Sequence, residues 1–303
     1  MTNLTLPIFT DAEKAREHFE AIRWPEGPIC PHCGTIGQAT LVKGKSHRPG
    51  LYQCNACREP FSVTVGTVME KSHIPLNKWV LGFHLMASGK KGISAHQLHR
   101  QLGVTYKSAW FMAHRIREAM APTDSTPMGS GGGGVEADET FIGRKAGAKV
   151  KAAYHHKMKV LTLVDRETKR SRSTVLKDMT SESIDPVLLA NISVNARLMT
   201  DEAAHYNRIG RKFAKHAVVN PGLGEYVNRD GSTNTVEGFF SVFKRGMKGT
   251  YQHCGEQHLH RYLAEFDFRY CNRAANGVND TVRATRAMKA SEGKRLTYRA
   301  VTD

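Results

Sequence analysis

Asp138, Asp201 and Glu237 are the residues of this chain whose types and spacing best suit joint chemistry. Asp138 stands in the middle of "VEADETFIG", a run that reads as a strand, with Glu136 and Thr140 on its face and Val135, Ala137 and Glu139 on the other. Asp201 follows the apolar stretch "RLM" and a threonine, at the end of a second strand. An unpaired charge on or beside a core strand costs several kcal/mol, so both aspartates call for a counter-charge. Glu237 lies in "NTVEGFFSVFKRG", where Val236, Phe239, Phe240, Phe243 and Met247 recur at helical spacing, and Glu237, Ser241 and Lys244 make a polar stripe at i, i+4 and i+7. Three carboxylates on a strand-rich platform suit two divalent cations, Mg2+ or Mn2+, about 4 Å apart, which activate an attacking hydroxyl and stabilise a leaving 3′-oxygen in phosphodiester chemistry. Lys244 would then face a phosphate backbone. Asn234, three residues before Glu237, offers an amide in nearly the same turn. An anion binds Mg2+ better than an amide, so Glu237 is preferred and Asn234 is left as helix cap or near neighbour. Glu139 and Glu202, each beside an aspartate, read as bystanders that can at most assist; His253 and His258 read as packing or capping residues.

A second chemistry is written in "CPHC" and "CNAC". Cys30, Cys33, Cys54 and Cys57 form two Cys-x-x-Cys turns twenty residues apart. Each turn offers two thiolates, and together they complete a tetrahedral S4 shell for one Zn2+, with no open position and hence a structural role. Gly34 permits the first turn. With only Cys254 and Cys271 left over, the pattern is a metal framework rather than a set of disulfides, and it suits a reducing cytoplasm.

The charge is lopsided: 44 Lys and Arg against 28 acidic residues, net +16. That surplus points to a polyanion, most simply nucleic acid. No stretch of about eighteen apolar residues suggests a membrane span, and the N-terminus lacks the pattern of a secretory signal. In residues 94–120 a short helix, a turn at Gly103 and a second helix capped by Thr105 outline a helix-turn-helix. Thr105, Tyr106, Lys107 and Ser108 would open the recognition helix at the bases, and Lys107, Arg115 and Arg117 would reach phosphates.

These groups need a scaffold, and the elements supply an α/β one in several domains. Residues 1–69 hold an N-terminal helix and the cysteine ribbon, and 74–120 the helix-turn-helix. Residues 121–134, rich in Pro, Ser, Thr and Gly, read as a flexible linker. From 135 to 280, three hairpin-like strands are followed by alternating helices and strands, which implies a mixed sheet with helices on its faces. A linker at 121–134 predicts that residues 1–120 fold and bind DNA on their own. Residues 281–303 are set aside as a basic tail.

The acids, 35 residues between the second and third and a lysine seven beyond, resemble the DDE-type transposases. The ribbon, the helix-turn-helix, "ADETFIG", "MTDEAAHY", "NTVEGFFSVFKRGMKGTYQH" and "HLHRYLAEFDFRYCNR" narrow that resemblance to a branch of bacterial insertion-sequence transposases. It covers roughly residues 10–275, and because some members carry Asn where the third acid is expected, the resemblance keeps Asn234 as the alternative third residue. It implies a ribonuclease-H-like catalytic core, cleavage and strand transfer at the element's terminal inverted repeats, insertion into target DNA, a homo-oligomer on double-stranded DNA, and a cytoplasmic, nucleoid-associated protein. Two alternatives remain open on sequence alone: a DNA-binding regulator with a silent core, and a nuclease that cleaves without joining.

Overall fold

The structure, a computed structural model, describes residues 3–44, 46–150, 154–219 and 233–297. The chain divides into two units, Met1–Met120 with Val278–Asp303, and Ala121–Gly277. In the first, α1 (Pro7–Thr10) leads into α2 (Ala12–Arg23), whose first turn is capped by Asp11 accepting the N–H groups of Glu13 and Lys14. Three short antiparallel strands follow: β1 (Ala39–Leu41), β2 (Tyr52–Cys54) and β3 (Pro60–Phe61). So small a sheet has little apolar surface of its own. Trp24 makes up part of the deficit by meeting Tyr52 and Phe61 edge-on, at 5.6 and 5.7 Å between ring centroids. Helices α3 (Leu76–Ser88), α4 (Ala95–Leu102) and α5 (Tyr106–Met120) complete this part. Ser94 caps α4, and Gly103, at φ 59°, ends it in a left-handed conformation.

The second unit is built on five strands: β4 (Gly134–Ile142), β5 (Met158–Asp165), β6 (Ser171–Leu176), β7 (Arg197–Thr200) and β8 (Lys215–Val218). Their order across the sheet is β6-β5-β4-β7-β8; β4, β5 and β6 are antiparallel, while β7 and β8 run parallel to β4. The mixed sheet inferred from the element pattern is present. Because side chains alternate along a strand, β4 and β5 feed two cores. Val135, Ala137, Leu161 and Leu163 pack with α6 (Ser181–Asn191) and α7 (Tyr206–Gly210). On the opposite face Ile142, Val160 and Val164 pack with α8 (Asn234–Gly246) and α9 (Glu256–Cys271), joined by a π-helical turn at Met247–Tyr251.

Two boundaries differ from the sequence reading. Residues 121–134 are fastened to the sheet unit rather than left as a loose linker. Met128 is buried and pairs with Ile192, its N–H donating to Asn191 O, and the Gly129 N–H donates to Asp165 Oδ2. The glycines serve as positive-φ hinges at Gly129, Gly131 and Gly132, and Gly134 already belongs to β4. Residues 281–297 are likewise more than a tail. They contribute most of α10 (Asp280–Lys289), whose buried Arg283 donates to Ala87 O in α3, while Lys294 donates to Ala119 O in α5.

Candidate active site

β4 and β7 pair Gly134 with Arg197 and Glu136 with Met199. Two residues further along each chain stand Asp138 and Asp201. The pairing stops at Glu136 and Met199, so Asp138 and Asp201 both stand just past the paired ends of two neighbouring strands, Asp201 in the turn that follows β7. Asp138 lies on the α8 and α9 face of β4, and Glu237 enters from the first turn of α8. The proximity is registered electrostatically. Burial, the neighbouring Glu139, and the charges of Asp201 and Glu237 push the Asp138 carboxyl up to about 7, against the opposing pull of the Glu139 N–H on Oδ1 at 2.7 Å. Asp201 Oδ1 accepts the Ala203 N–H at 3.0 Å, a local turn that fixes its carboxylate where β7 ends. The structure therefore puts Asp138, Asp201 and Glu237 in one region, near enough for the charges of the last two to act on the first, but not with their oxygens gathered as closely as the cysteine sulfurs.

Glu139, on the opposite face of β4, turns toward α7. Its Oε1 meets His205 Nε2 at 2.8 Å and accepts the Tyr206 hydroxyl. Burial disfavours a charged His205, but the Glu139 hydrogen bond and charge, with Asp201 and Asp185, outweigh it and raise its pKa. His205 and Tyr206 went unremarked in the sequence, though they follow Asp201 within five residues. Glu202 is exposed.

At the start of α8 the structure departs from expectation. Thr233, not Asn234, occupies the cap position, and Asn234 is the first helical residue, exposed. The Thr233 hydroxyl donates to Glu237 Oε1 at 3.2 Å. The first-turn N–H groups of Thr235 and Val236 both donate, at 2.9 Å each, to Oε2 of Glu136, a fully buried residue on β4. The capping partner lies a hundred residues back in the chain, where no local pattern could reveal it. Lys244 is half-buried on the side of α8 near Phe240, its Nζ 6.0 Å from the ring centroid. His258 Nδ1 meets Arg261 at 3.1 Å, and the His253 N–H donates to Tyr251 O.

The cysteines form the other centre. The four Sγ atoms of Cys30, Cys33, Cys54 and Cys57 lie within 4.8 Å of one another, with Cys30 to Cys57 at 3.7 Å and Cys33 to Cys54 at 3.6 Å. A tetrahedral zinc with bonds of about 2.3 Å needs sulfurs about 3.8 Å apart, so the donors fit that ion. Among the described residues, this is the one group of three or more possible ligands gathered so tightly. The two turns share one construction. Gly34 N–H donates to Cys30 O and Arg58 N–H to Cys54 O, and both residues have positive φ, 77° and 64°. Thr35 donates through its hydroxyl and its N–H and holds the Cys33 thiol down at about 6.

The candidates for DNA contact divide. Lys107 and Tyr106 are exposed at the start of α5, and the Tyr106 ring stacks on His96 at 4.3 Å. Thr105 is drawn into the helix cap instead: its Oγ1 accepts the Ser108 N–H and donates to Ser108 Oγ, so both hydroxyls are engaged with each other. Arg115 donates to Glu70 O and Leu296 O and rests on the Phe111 ring; its guanidinium is committed to holding the unit together rather than reaching out to phosphate. Arg117 is buried.

Comparison with known proteins matches a known domain to the cysteine-bearing segment and another to the sheet-bearing segment. Residues 10–59 match the transposase zinc-ribbon domain and residues 131–271 the ISXO2-like transposase domain. The chain thus carries a transposase zinc-ribbon domain followed by an insertion-sequence-type transposase domain. It is also similar to the "uncharacterized protein in transposable element ISH50" of Halobacterium salinarum, at 26% identity over 88% of this chain and 93% of that one. A simian T-cell lymphotropic virus intasome structure, in complex with the PP2A regulatory subunit B56 gamma, aligns over 63% of this chain and 65% of its own, just under two thirds. Its TM-score of 0.29 and 14% identity are too low to bear on the fold.

Proposed function

We propose that the protein is a DDE-type transposase that binds the ends of its element and cleaves and joins DNA strands with divalent metal ions. The observation that carries this is the convergence of Asp138, Asp201 and Glu237, whose mutual repulsion is felt at Asp138. Hard carboxylate oxygens within reach of one another's charge fit Mg2+ or Mn2+. Bound there, such ions would supply the charge that activates an attacking hydroxyl and stabilises a leaving 3′-oxygen. Asp138, Asp201 and Glu237 would hold them, Lys244 would orient the DNA backbone, and the buried sheet would keep the carboxylates in fixed relation. The strand order β6-β5-β4-β7-β8, three antiparallel and two parallel, supports a ribonuclease-H-like core. Helices α4 and α5 around Gly103 support a helix-turn-helix, with Tyr106 and Lys107 as its exposed contacts. The zinc ribbon, holding one structural Zn2+, would act beside it on terminal inverted repeats. The reading includes a homo-oligomer assembled on DNA in the nucleoid. No helix among the described residues is long and apolar enough to cross a membrane.

The test is cleavage of labelled element-end DNA in Mg2+ by folded variants. Glu237→Gln is expected to lower the rate by at least about 100-fold, the several kcal/mol that a metal-binding carboxylate contributes. Asn234→Ala is expected to stay within about tenfold of wild type, and Lys244→Ala to lie between the two, since it removes a phosphate contact. A dead Asn234 variant beside a fully active Glu237 variant would transfer the third catalytic role to Asn234. Two active variants would leave the helix structural.

A further inference from the structure

We propose that Glu136 is a positioning residue, which ties the first turn of α8 to β4 and so fixes Glu237 relative to Asp138. The inference rests on the active-site reading above. A helix begins with N–H groups that have no partner inside it, and these are ordinarily met by the cap side chain. In α8 the cap residue makes no such bond, because the Thr233 hydroxyl is turned to Glu237 Oε1. Glu136 replaces it from another element, accepting from Thr235 and Val236 with one oxygen. Its other oxygen, Oε1, faces Arg166 Nε at 3.5 Å. A carboxylate at the positive end of a helix dipole in a buried setting makes a strong tether.

Position gives this tether its consequence. Glu136 and Asp138 share one face of β4, two residues apart, so the strand that presents one metal-binding carboxylate also anchors the helix that presents another. Glu237 directly follows Val236, one of the two tethered residues, and its own N–H is bonded to Thr233 O within the same turn. Any movement of that turn moves Glu237. Oε2 is engaged by two N–H donors, while Oε1 is buried without a hydrogen bond and faces Arg166, so it is the Glu136→Gln variant that separates a tether from a metal ligand.

The experiment is a Mn2+ titration of the full, zinc-loaded chain without DNA, followed by electron paramagnetic resonance, with a thermal melt of each variant. Glu136→Ala should weaken Mn2+ binding about tenfold or more, the usual effect of removing a group that orients a ligand. Glu136→Gln keeps a carbonyl oxygen for the two N–H donors and should stay within about threefold of wild type. In a Glu237→Gln background the Ala substitution should add less than about twofold, because its effect runs through Glu237. If Glu136→Ala does not fold, Glu136→Asp, too short to reach α8, takes its place with the same limits. A lowered melting temperature with unchanged Mn2+ affinity would make Glu136 merely structural and overturn the proposal. Glu136→Gln as damaging as Glu136→Ala would make it a ligand and overturn it equally. A wild-type protein that binds no Mn2+, or binds it unchanged after Asp138→Asn, would defeat the active-site reading itself, and the tether with it.

Discussion

Asp267 in α9 is a natural comparison for Asp138. It is buried and well supplied, accepting from Ser171 Oγ at 2.7 Å, Ser173 Oγ at 3.0 Å and Ser173 N at 2.8 Å, yet burial still pushes its carboxyl up to about 6. Its folded pKa thus lies above the ordinary 3.8. The folded state holds the proton more firmly, so this group costs nothing below pH 4 and destabilises the fold progressively as pH rises toward 6. Two pKa units correspond to about 3 kcal/mol. Asp267→Asn, with its oxygen toward the Ser173 N–H and its amide donating to the serine hydroxyls, is expected to flatten that slope and to be more stable than wild type at pH 7.5, by up to about 3 kcal/mol. Urea unfolding at pH 4, 6 and 7.5 measures it; equal slopes would place the cost elsewhere. Asp138 has one N–H, that of Glu139, against three acidic neighbours, Glu139, Asp201 and Glu237. Its candidacy was legible in sequence because an acid among strand residues is conspicuous. Glu136, on the same face, was equally visible as a residue but not as a cap, since its partners are set by tertiary packing. Arg115 misled in the opposite sense: a lysine-like surface charge in a helical pattern, it is spent on two backbone carbonyls.

At the level of elements, the ribbon is the part expected to depend most on a metal held by its four cysteines. Strands β1 to β3 span three, three and two residues, too few to stand without a staple. Chelation of zinc, or Cys54→Ser, is expected to melt the ribbon, releasing one zinc per chain and opening the Trp24, Tyr52 and Phe61 cluster, while the sheet unit keeps its structure. Tryptophan fluorescence against far-ultraviolet circular dichroism separates the two. A chain that lost zinc with no fluorescence change would show the ribbon self-sufficient. The strands of the sheet unit were readable from alternation and β-branched residues, and the two helices around Gly103 from their caps. The stretch at 121–134 was not, because its glycines look the same whether they loosen a chain or let it turn tightly. What decides between those is the pairing of Met128 with Ile192, which no window of sequence contains.

At the scale of the whole molecule, the first unit is assembled from both ends of the sequence. A fragment of residues 1–120 lacks α10 and so exposes the part of α3 that it covers, together with the carbonyls of Ala87 and Ala119. Losing the burial of Ala284, Ala287 and Met288 costs about 3 kcal/mol, or roughly 10–20 °C in melting temperature for a domain of this size. The expectation from sequence that 1–120 would stand alone is therefore revised. A fusion of 1–120 to 278–303 through a short glycine-serine link should melt well above 1–120, and 121–277 should fold by itself. If 1–120 melts as high as the fusion, α10 is an ornament. The discontinuity also sets an order in time. On the ribosome the chain emerges from its N-terminus, so the sheet unit is fully synthesised while the unit that encloses it in sequence still waits for its last helix. Nascent or prematurely terminated chains would carry the cysteines and the sheet but an unfinished first unit, and only a chain translated past residue 294 could close it.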